Sequence, residues 1–568
     1  MVLNSRVPCI SSKKNTLHRL IQPISTENDT ENSGSSNSFL QQQSGPENND
    51  GSTQRSEHPP IDEANILIEP YSAEESLSVI RQQLEQSTIP DFLLHLPTIL
   101  VEFYFNYVCR IFSSFDSSLN PFRSTVGKLW DTSAPIYYAI QSMAAAYLVN
   151  HFPRMSLVGI QMQKETYRCI YQTQEGANNS KTLDSILLTV LLVGQTTAWH
   201  NPKDLGLEHL KAAKQLNQRR IQQQTPRTAG LINNCVERQN AFFEQCILYW
   251  DMLARFVRDD VDKYGPVQPA SLPPNGVPGS SDDKENKFPH PWTGVAPRVQ
   301  RLFVQVARLI RNYRKTIAKS TALPRFSSFD FELENQYPQD HLVITEAILK
   351  AQSLEEDLLA FISPSAASLV DTGDENTPVE QYLDLAEAYR CAALLQVYRI
   401  FPSVLLRRLP LSDDVFASSF NGPTAQMFSF LPVSPPRLPD KFLVYLALHI
   451  ISLLKKLPLN SGTRCLQPIV ILTAASELRF ETDLTYGPGL PLGPAIMPSN
   501  SITTGEVRIA SARRFVVTRL QEFQLSLPAK PMVKALQLVQ GTWERADMGL
   551  DVYWMDVMDE MGWESIFG

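Results

Sequence analysis

A chain of 568 residues with 43% apolar side chains can bury one large or two smaller cores. Its net charge of −8 excludes the basic balance of a free-standing nucleic-acid binder. The seven cysteines, at 9, 109, 169, 235, 246, 391 and 465, are odd in number and never closer than eleven residues, so no pair has the short spacing that chelates zinc or forms a redox centre.

Residues 1–61 are rich in Ser, Asn, Gln, Glu and Thr and cannot bury enough surface to offset chain entropy, which predicts a disordered tail. A first helical half is expected over 62–262. Early in it, Ser72 and Glu75 stand just ahead of Leu77 in the pattern of a capping box. Apolar residues at helical spacing run through FLLHLPTILVEFYFNYVCRIF, split by Pro97. They resume in PIYYAIQSMAAAYLVNHF, with Pro135 near a first turn and Ser133 placed as its cap. MSLVGIQMQKETYRCIYQTQ, KTLDSILLTVLLVGQTTAWH, LGLEHLKAAKQLNQRRI and NNCVERQNAFFEQCILYWDMLARFV complete this half.

Pro, Gly and charge mark 263–294 as an exposed loop. A second helical half, 295–568, carries the same period from PRVQRLFVQVARLIRNYRKTIAK to MVKALQLVQGTWERAD and ends in an acidic, aromatic segment. Alternating β-rich runs are absent, and no fixed repeat period marks a solenoid. The predicted class is therefore all-α: a large multi-helix domain with a disordered N-terminal tail and a Pro/Gly-rich internal loop.

The N-terminal MVLNSRVPCISSKKN lacks an apolar core of signal-peptide length. The most apolar stretches, ILLTVLLVG at 186–194 and FLVYLALHIISLL at 442–454, are shorter than the roughly 18–20 residues of a membrane span. A soluble intracellular protein without membrane contact is expected.

Chemistry-bearing motifs are missing: no GxGxxG, P-loop, HExxH or GxSxG occurs. No catalytic, cofactor-binding, metal or DNA-binding residue is assigned, and no cofactor is expected. His200 and His209, nine apart, would face away from each other on one helix. Cys109, Cys169, Cys246 and Cys391 sit in apolar helical segments, where a thiol behaves as a small hydrophobe. The pairs Arg219-Arg220, Arg407-Arg408 and Arg513-Arg514 read as solvated surface and dipole complements late in helices or beside turns.

One stretch, IFSSFDSSLNPFRS at 111–124, asks for an interpretation of its own. Pro121 forces Asn120 out of helical geometry, and Asp116 and Ser117 are placed to cap the loop. Phe115 and Phe122 would be buried as staples, and Arg123 can pair with Asp116. The stretch is expected to fix the angle between two helices, with the lining of a ligand pocket as the other reading. Likewise, at the end of an apolar helix, Trp199 should pack and His200 should find a partner.

FDSSLNPFRS, followed by AIQSMAAAYL, resembles the start of the fungal-specific transcription factor domain. That is the helical regulatory region that follows a zinc(II)–six-cysteine binuclear cluster in many fungal regulators, here most like the acriflavine-sensitivity group. Further stretches agree in order: LLVGQTTAWHNPKDLGLEHLKAAKQL (191–216), HPWTGVAPRVQRLFVQVARLIR (290–311), YLDLAEAYRCAALLQVYRIFPSVL (382–405), SGTRCLQPIVILTAASEL (461–478) and WMDVMDEMGWESIFG (554–568). The resemblance covers roughly 90–568 and implies a nuclear transcriptional regulator of a gene cluster or of a metabolic or resistance pathway.

The zinc cluster needs six thiolates, yet only Cys9 precedes Cys109. Direct DNA contact by the family's usual module is therefore not expected. Either the regulator reaches promoters through partners, or the sequence begins short of the cluster. The partners implied are the transcription machinery or another DNA-binding regulator, a small-molecule effector held between helices, and a second copy of the chain. The competing classes are an all-α enzyme with a buried apolar pocket and a non-transcriptional adaptor. The segment ADMGLDVYWMDVMDEMGWESIFG, with six acidic residues and no Lys or Arg, has the composition of an activation segment. Docking of Trp554, Met558 and Trp563 on the domain is the favoured reading.

Overall fold

The computed structural model describes residues 95–174, 180–223, 234–258, 288–322, 337–409, 438–480 and 503–568. The expected tail, the Ser72 capping box and most of the loop at 263–294 lie outside these. Leu96–Gly568 forms one compact unit. Among the described residues the regular elements are helices, and the β pairing present is the isolated bridge between His290 and Gly294. The fold is all-α.

The chain enters through α1 (Leu96–Phe103), a π turn (Tyr104–Val108) and the short α2 (Cys109–Ile111). Pro97 stands in the first turn of α1, where its missing N–H has no intrahelical partner to lose, so it starts the helix instead of splitting it. Then follow α3 (Pro121–Leu129), α4 (Ala134–Leu148), α5 (Met155–Gln174), α6 (Ser180–Gln195), α7 (Thr197–His200), α8 (Leu207–Gln223) and α9 (Asn234–Val257). At α4, Ser133 occupies the cap position, but its hydroxyl meets Ser185 Oγ at 3.2 Å in place of a backbone N–H.

The second half comprises α10 (Pro297–Ala322), α11 (Tyr337–Leu359), α12 (Val379–Ile400), α13 (Pro402–Leu406), α14 (Leu438–Lys455), a 3₁₀ turn (Gly462–Leu466) and α15 (Pro468–Ala475). It ends with α16 (Thr504–Ser526), α17 (Ala529–Asp547) and α18 (Trp554–Met561). A capping box of Thr503 and Glu506 starts α16.

Helices near in sequence pack in pairs: α4 on α5, α6 on α8, α9 on α10, α12 on α14 and α16 on α17. Two elements form the centre, α12 through its buried face and α15 on all sides. In α12, Leu385, Tyr389, Ala392, Leu395 and Val397 are all buried, and every residue of α15 is buried. The α16–α17 pair returns to the first half, because α17 touches both α7 and α15.

Residues 181–200 are long and apolar enough to cross a membrane, contrary to the expectation drawn from the shorter apolar run within them. Yet 83% of that window is buried inside the domain. Leu187, Leu188, Leu191, Leu192 and Val193 are each at most 1% exposed, and each such burial stabilises by roughly 1.5–3 kcal/mol. This is a core helix.

Candidate functional site: a junction, its cavity and a docked acidic segment

At 111–124 the local chemistry is that of a built corner. Asn120 is fully buried with φ −74° and ψ 116°, outside helical geometry, immediately before Pro121. Its Oδ1 accepts from the Phe122 N–H at 3.0 Å and caps α3, while its Nδ2 donates to Ser113 Oγ at 2.7 Å and to the Phe115 carbonyl at 2.9 Å. The cap is thus made by Asn120, not by Asp116. Asp116 instead takes both arms of Arg123, at 2.5 and 2.8 Å, and Arg123 also donates to the Phe105 carbonyl inside the π turn. Phe115 and Phe122 are buried as expected.

Distant stretches converge on this corner. The Ser114 N–H donates to the Pro291 carbonyl at 2.8 Å, and the Trp292 indole donates to the Phe112 carbonyl at 2.6 Å. Tyr382 donates its hydroxyl to the Ser114 carbonyl at 2.9 Å. Gly462 lies so close that a Cβ there would stand 2.2 Å from the Ser114 oxygen. Rings close the junction: Phe112, Phe122 and Trp292 lie with centroids 4.9–5.1 Å apart. The corner therefore ties both halves of the domain together.

Its Ile111 and Phe112 also form one wall of a small cavity. Phe112, Trp199, Tyr249, Trp292 and Cys465 line the cavity, and Leu527 and Pro528 of the α16–α17 connection close it together with Pro531 and Met532 of α17. The open interior is about 20 Å³, room for about one water. Gln195 lines it too, 4% exposed, with its Oε1 buried and without a hydrogen-bond partner among the described residues.

The five cysteines whose side chains are described are all buried. Burial pushes the Cys465 thiol up to about 12, and the same cause keeps Cys109 and Cys246 protonated. Trp199 is packed and His200 partnered, as expected: His200 Nε2 lies 2.9 Å from Ser142 Oγ. This pair is not a nucleophile with its base. The Ser142 hydroxyl donates to the Gly159 carbonyl at 3.0 Å, so the imidazole must be the donor to Ser142. Burial, reinforced by Lys530, lowers His200 to about 4. His209 takes a different neighbour, Tyr167, with ring centroids 5.1 Å apart.

The surface reading holds for Arg219, Arg407, Arg408 and Arg514 and is corrected for Arg220 and Arg513. Arg220 is fully buried, 3.5 Å from Asp184, with its guanidinium 4.8 Å from the Phe243 ring centroid. Arg407 and Arg408 reach the fully buried Glu355 at 2.6 and 3.3 Å. Arg513 grips Asp547 with both arms, at 2.6 and 2.7 Å, beneath Phe480 and Trp543. Arg219 and Arg514 do face solvent. Helix-end spacing could not show that Arg220, Arg513 and the Arg407-Arg408 pair each have a carboxylate waiting far along the chain.

The acidic segment is docked. Trp554, Met558 and Phe567 are fully buried, and Trp563 packs over Gly541. Arginines meet its carboxylates one by one: Asp547 meets Arg513, Asp551 meets Arg399 and Arg479, Asp556 meets Arg314, Asp559 meets Arg311, and Glu560 meets Arg545. Such a segment is part of the domain, with its acidic groups on the outer side of an apolar anchor.

No curated protein and no solved structure matches the chain. A family model described as the fungal specific transcription factor domain matches residues 99–568, a span that contains the corner, the cavity and the docked segment. The chain belongs to the fungal specific transcription factor domain family.

Proposed function

We propose that this protein is a transcriptional regulator that acts in the nucleus through contacts with the transcription machinery or another DNA-binding regulator. The observation that carries the reading is the family match across nearly the whole helical unit. In this reading residues 1–108 do not themselves make the DNA contact, because they hold a single cysteine, Cys9, and cannot supply six thiolates. A small-molecule effector would enter the cavity beside Gln195 by displacing the α16–α17 connection. That movement would act on α17, which leads directly into the acidic segment.

The test is a tagged full-length chain in a fungal cell, followed by its fusion to a heterologous DNA-binding module upstream of a reporter. Nuclear accumulation and a severalfold change in reporter output are expected. Exclusion from the nucleus together with a silent reporter would overturn the reading in favour of an adaptor outside transcription.

A further inference from the structure

Helices α12 and α14 pack against each other, and their interface brings together three side chains of different chemistry: Glu387 and Cys391, one turn apart on α12, and His449 from α14. One ligand atom of each lies within 4.8 Å of the other two. From these juxtaposed groups we propose that Glu387, Cys391 and His449 form a binding site for a divalent transition metal of the zinc type, with solvent as fourth ligand.

The donor set is one carboxylate oxygen, one thiol sulfur and one imidazole nitrogen, which selects zinc or cobalt over magnesium or calcium. A tetrahedral site with bonds near 2.0–2.3 Å has ligand atoms about 3.5 Å apart, so the three must draw in by about 1 Å. Side-chain rotation about an i, i+4 pair and one facing residue provides that. The Cys391 sulfur already donates to Glu387 Oε1 at 3.4 Å, so the metal would stand where the thiol proton now stands. The His449 ring makes no hydrogen bond among the described residues; the contact at this residue is Ser452 Oγ donating to its backbone carbonyl. Cys391 is 3% exposed, whereas the Glu387 side chain is 32% exposed, which opens one side to an entering ion and a water.

Arg390 is the neighbour that tells against a vacant carboxylate. It donates to both Glu387 oxygens, at 2.8 and 2.6 Å. Each oxygen keeps a second lone pair, so Arg390 can remain as an outer partner that fixes the carboxylate while Oε1 meets the metal. Binding replaces the Cys391 S–H bond by a sulfur–metal bond and releases one proton to solvent.

The experiment uses the full chain, stripped with a chelator and titrated with Co²⁺. One equivalent should give a near-ultraviolet sulfur-to-cobalt band and tetrahedral visible absorption, release about one proton, and be displaced by Zn²⁺, which binds such sites more tightly. Cys391→Ala should abolish the sulfur band. His449→Ala, at a half-exposed position that leaves the core intact, should weaken binding by more than the ~10–100-fold typical of losing an outer partner. Absence of the band in the unaltered chain would overturn the proposal. So would a band that survives Cys391→Ala or is indifferent to His449→Ala, because the metal would then sit on another of the seven cysteines.

Discussion

Trp554 donates its indole N–H to the Oε1 of Gln396 at 2.9 Å, and the same oxygen accepts from the Tyr553 hydroxyl at 2.7 Å. Gln396 is on the buried face of α12 and is itself 0% exposed, so the acidic segment is anchored in the centre of the domain. By contrast the carboxylates around it are open to water: the Asp551 side chain is 83% exposed and Asp556 50%. Exposed pairs are each worth at most about 1 kcal/mol, while an aromatic deletion in a core costs about 3–5 kcal/mol. Trp554→Ala should therefore lower stability by that larger amount in denaturant titration, and Asp551→Asn by less than about 1 kcal/mol. A reversed order would mean that charge, not burial, holds the segment.

His290 is held neutral by geometry. Its Nδ1 accepts the backbone N–H groups of Trp292 and Thr293, both at 3.1 Å, which leaves Nε2 to donate to the Phe242 carbonyl at 3.1 Å, with the Cys246 thiol beside it. Burial lowers its pKa from 6.5 to about 3. The unfolded chain therefore binds one more proton between these values, and stability falls as pH falls. The contribution is complete above pH 6.5 and is lost progressively toward pH 3, at about 1.4 kcal/mol per unit from this group. His290→Asn keeps an acceptor for the turn without titrating. Its stability should depend on pH less steeply, by about one proton, between pH 6 and 4. Equal slopes would place the acid sensitivity elsewhere.

The approach of Gly462 to Ser114 allows no side chain. A Cβ at this position would meet the Ser114 carbonyl carbon at 2.7 Å as well as its oxygen, and neither can rotate away. Gly462→Ala should cost about 1–3 kcal/mol or more by forcing the 3₁₀ turn off the 111–124 corner. Loss of near-ultraviolet dichroism from Trp292 should accompany the lower melting temperature. A variant that melts like the parent would show that the corner yields.

Glu355 makes an asymmetric prediction. It is fully buried, whereas the side chains of Arg407 and Arg408 are 37% and 44% exposed. Glu355→Gln frees arginines that water can solvate and should cost about 1–2 kcal/mol. Replacing both arginines by Met strands the carboxylate with Tyr398 as its remaining hydrogen-bond donor among these groups, and should cost about 3–5 kcal/mol. Chemical denaturation of the two variants decides the order.

What the sequence determined by itself is local. The 3.6-residue period placed the helices, because the side chains that share a helix face are fixed by spacing alone. The Asn120-Pro121 step, the burial of Phe115 and Phe122, and the Arg123–Asp116 pair all lie within a dozen residues and were readable for the same reason. The order of the family-like stretches was readable as well. What the tertiary structure decided is every pairing across a long loop. Arg220 meets Asp184, Arg513 meets Asp547, and Glu387 and Cys391 meet His449 only because helices distant in the chain pack together. Composition left a free acidic tail open beside the favoured docking of the final segment. Its docking was settled by the fit of Trp554 against Gln396, a contact that spans 158 positions and leaves no trace in local periodicity.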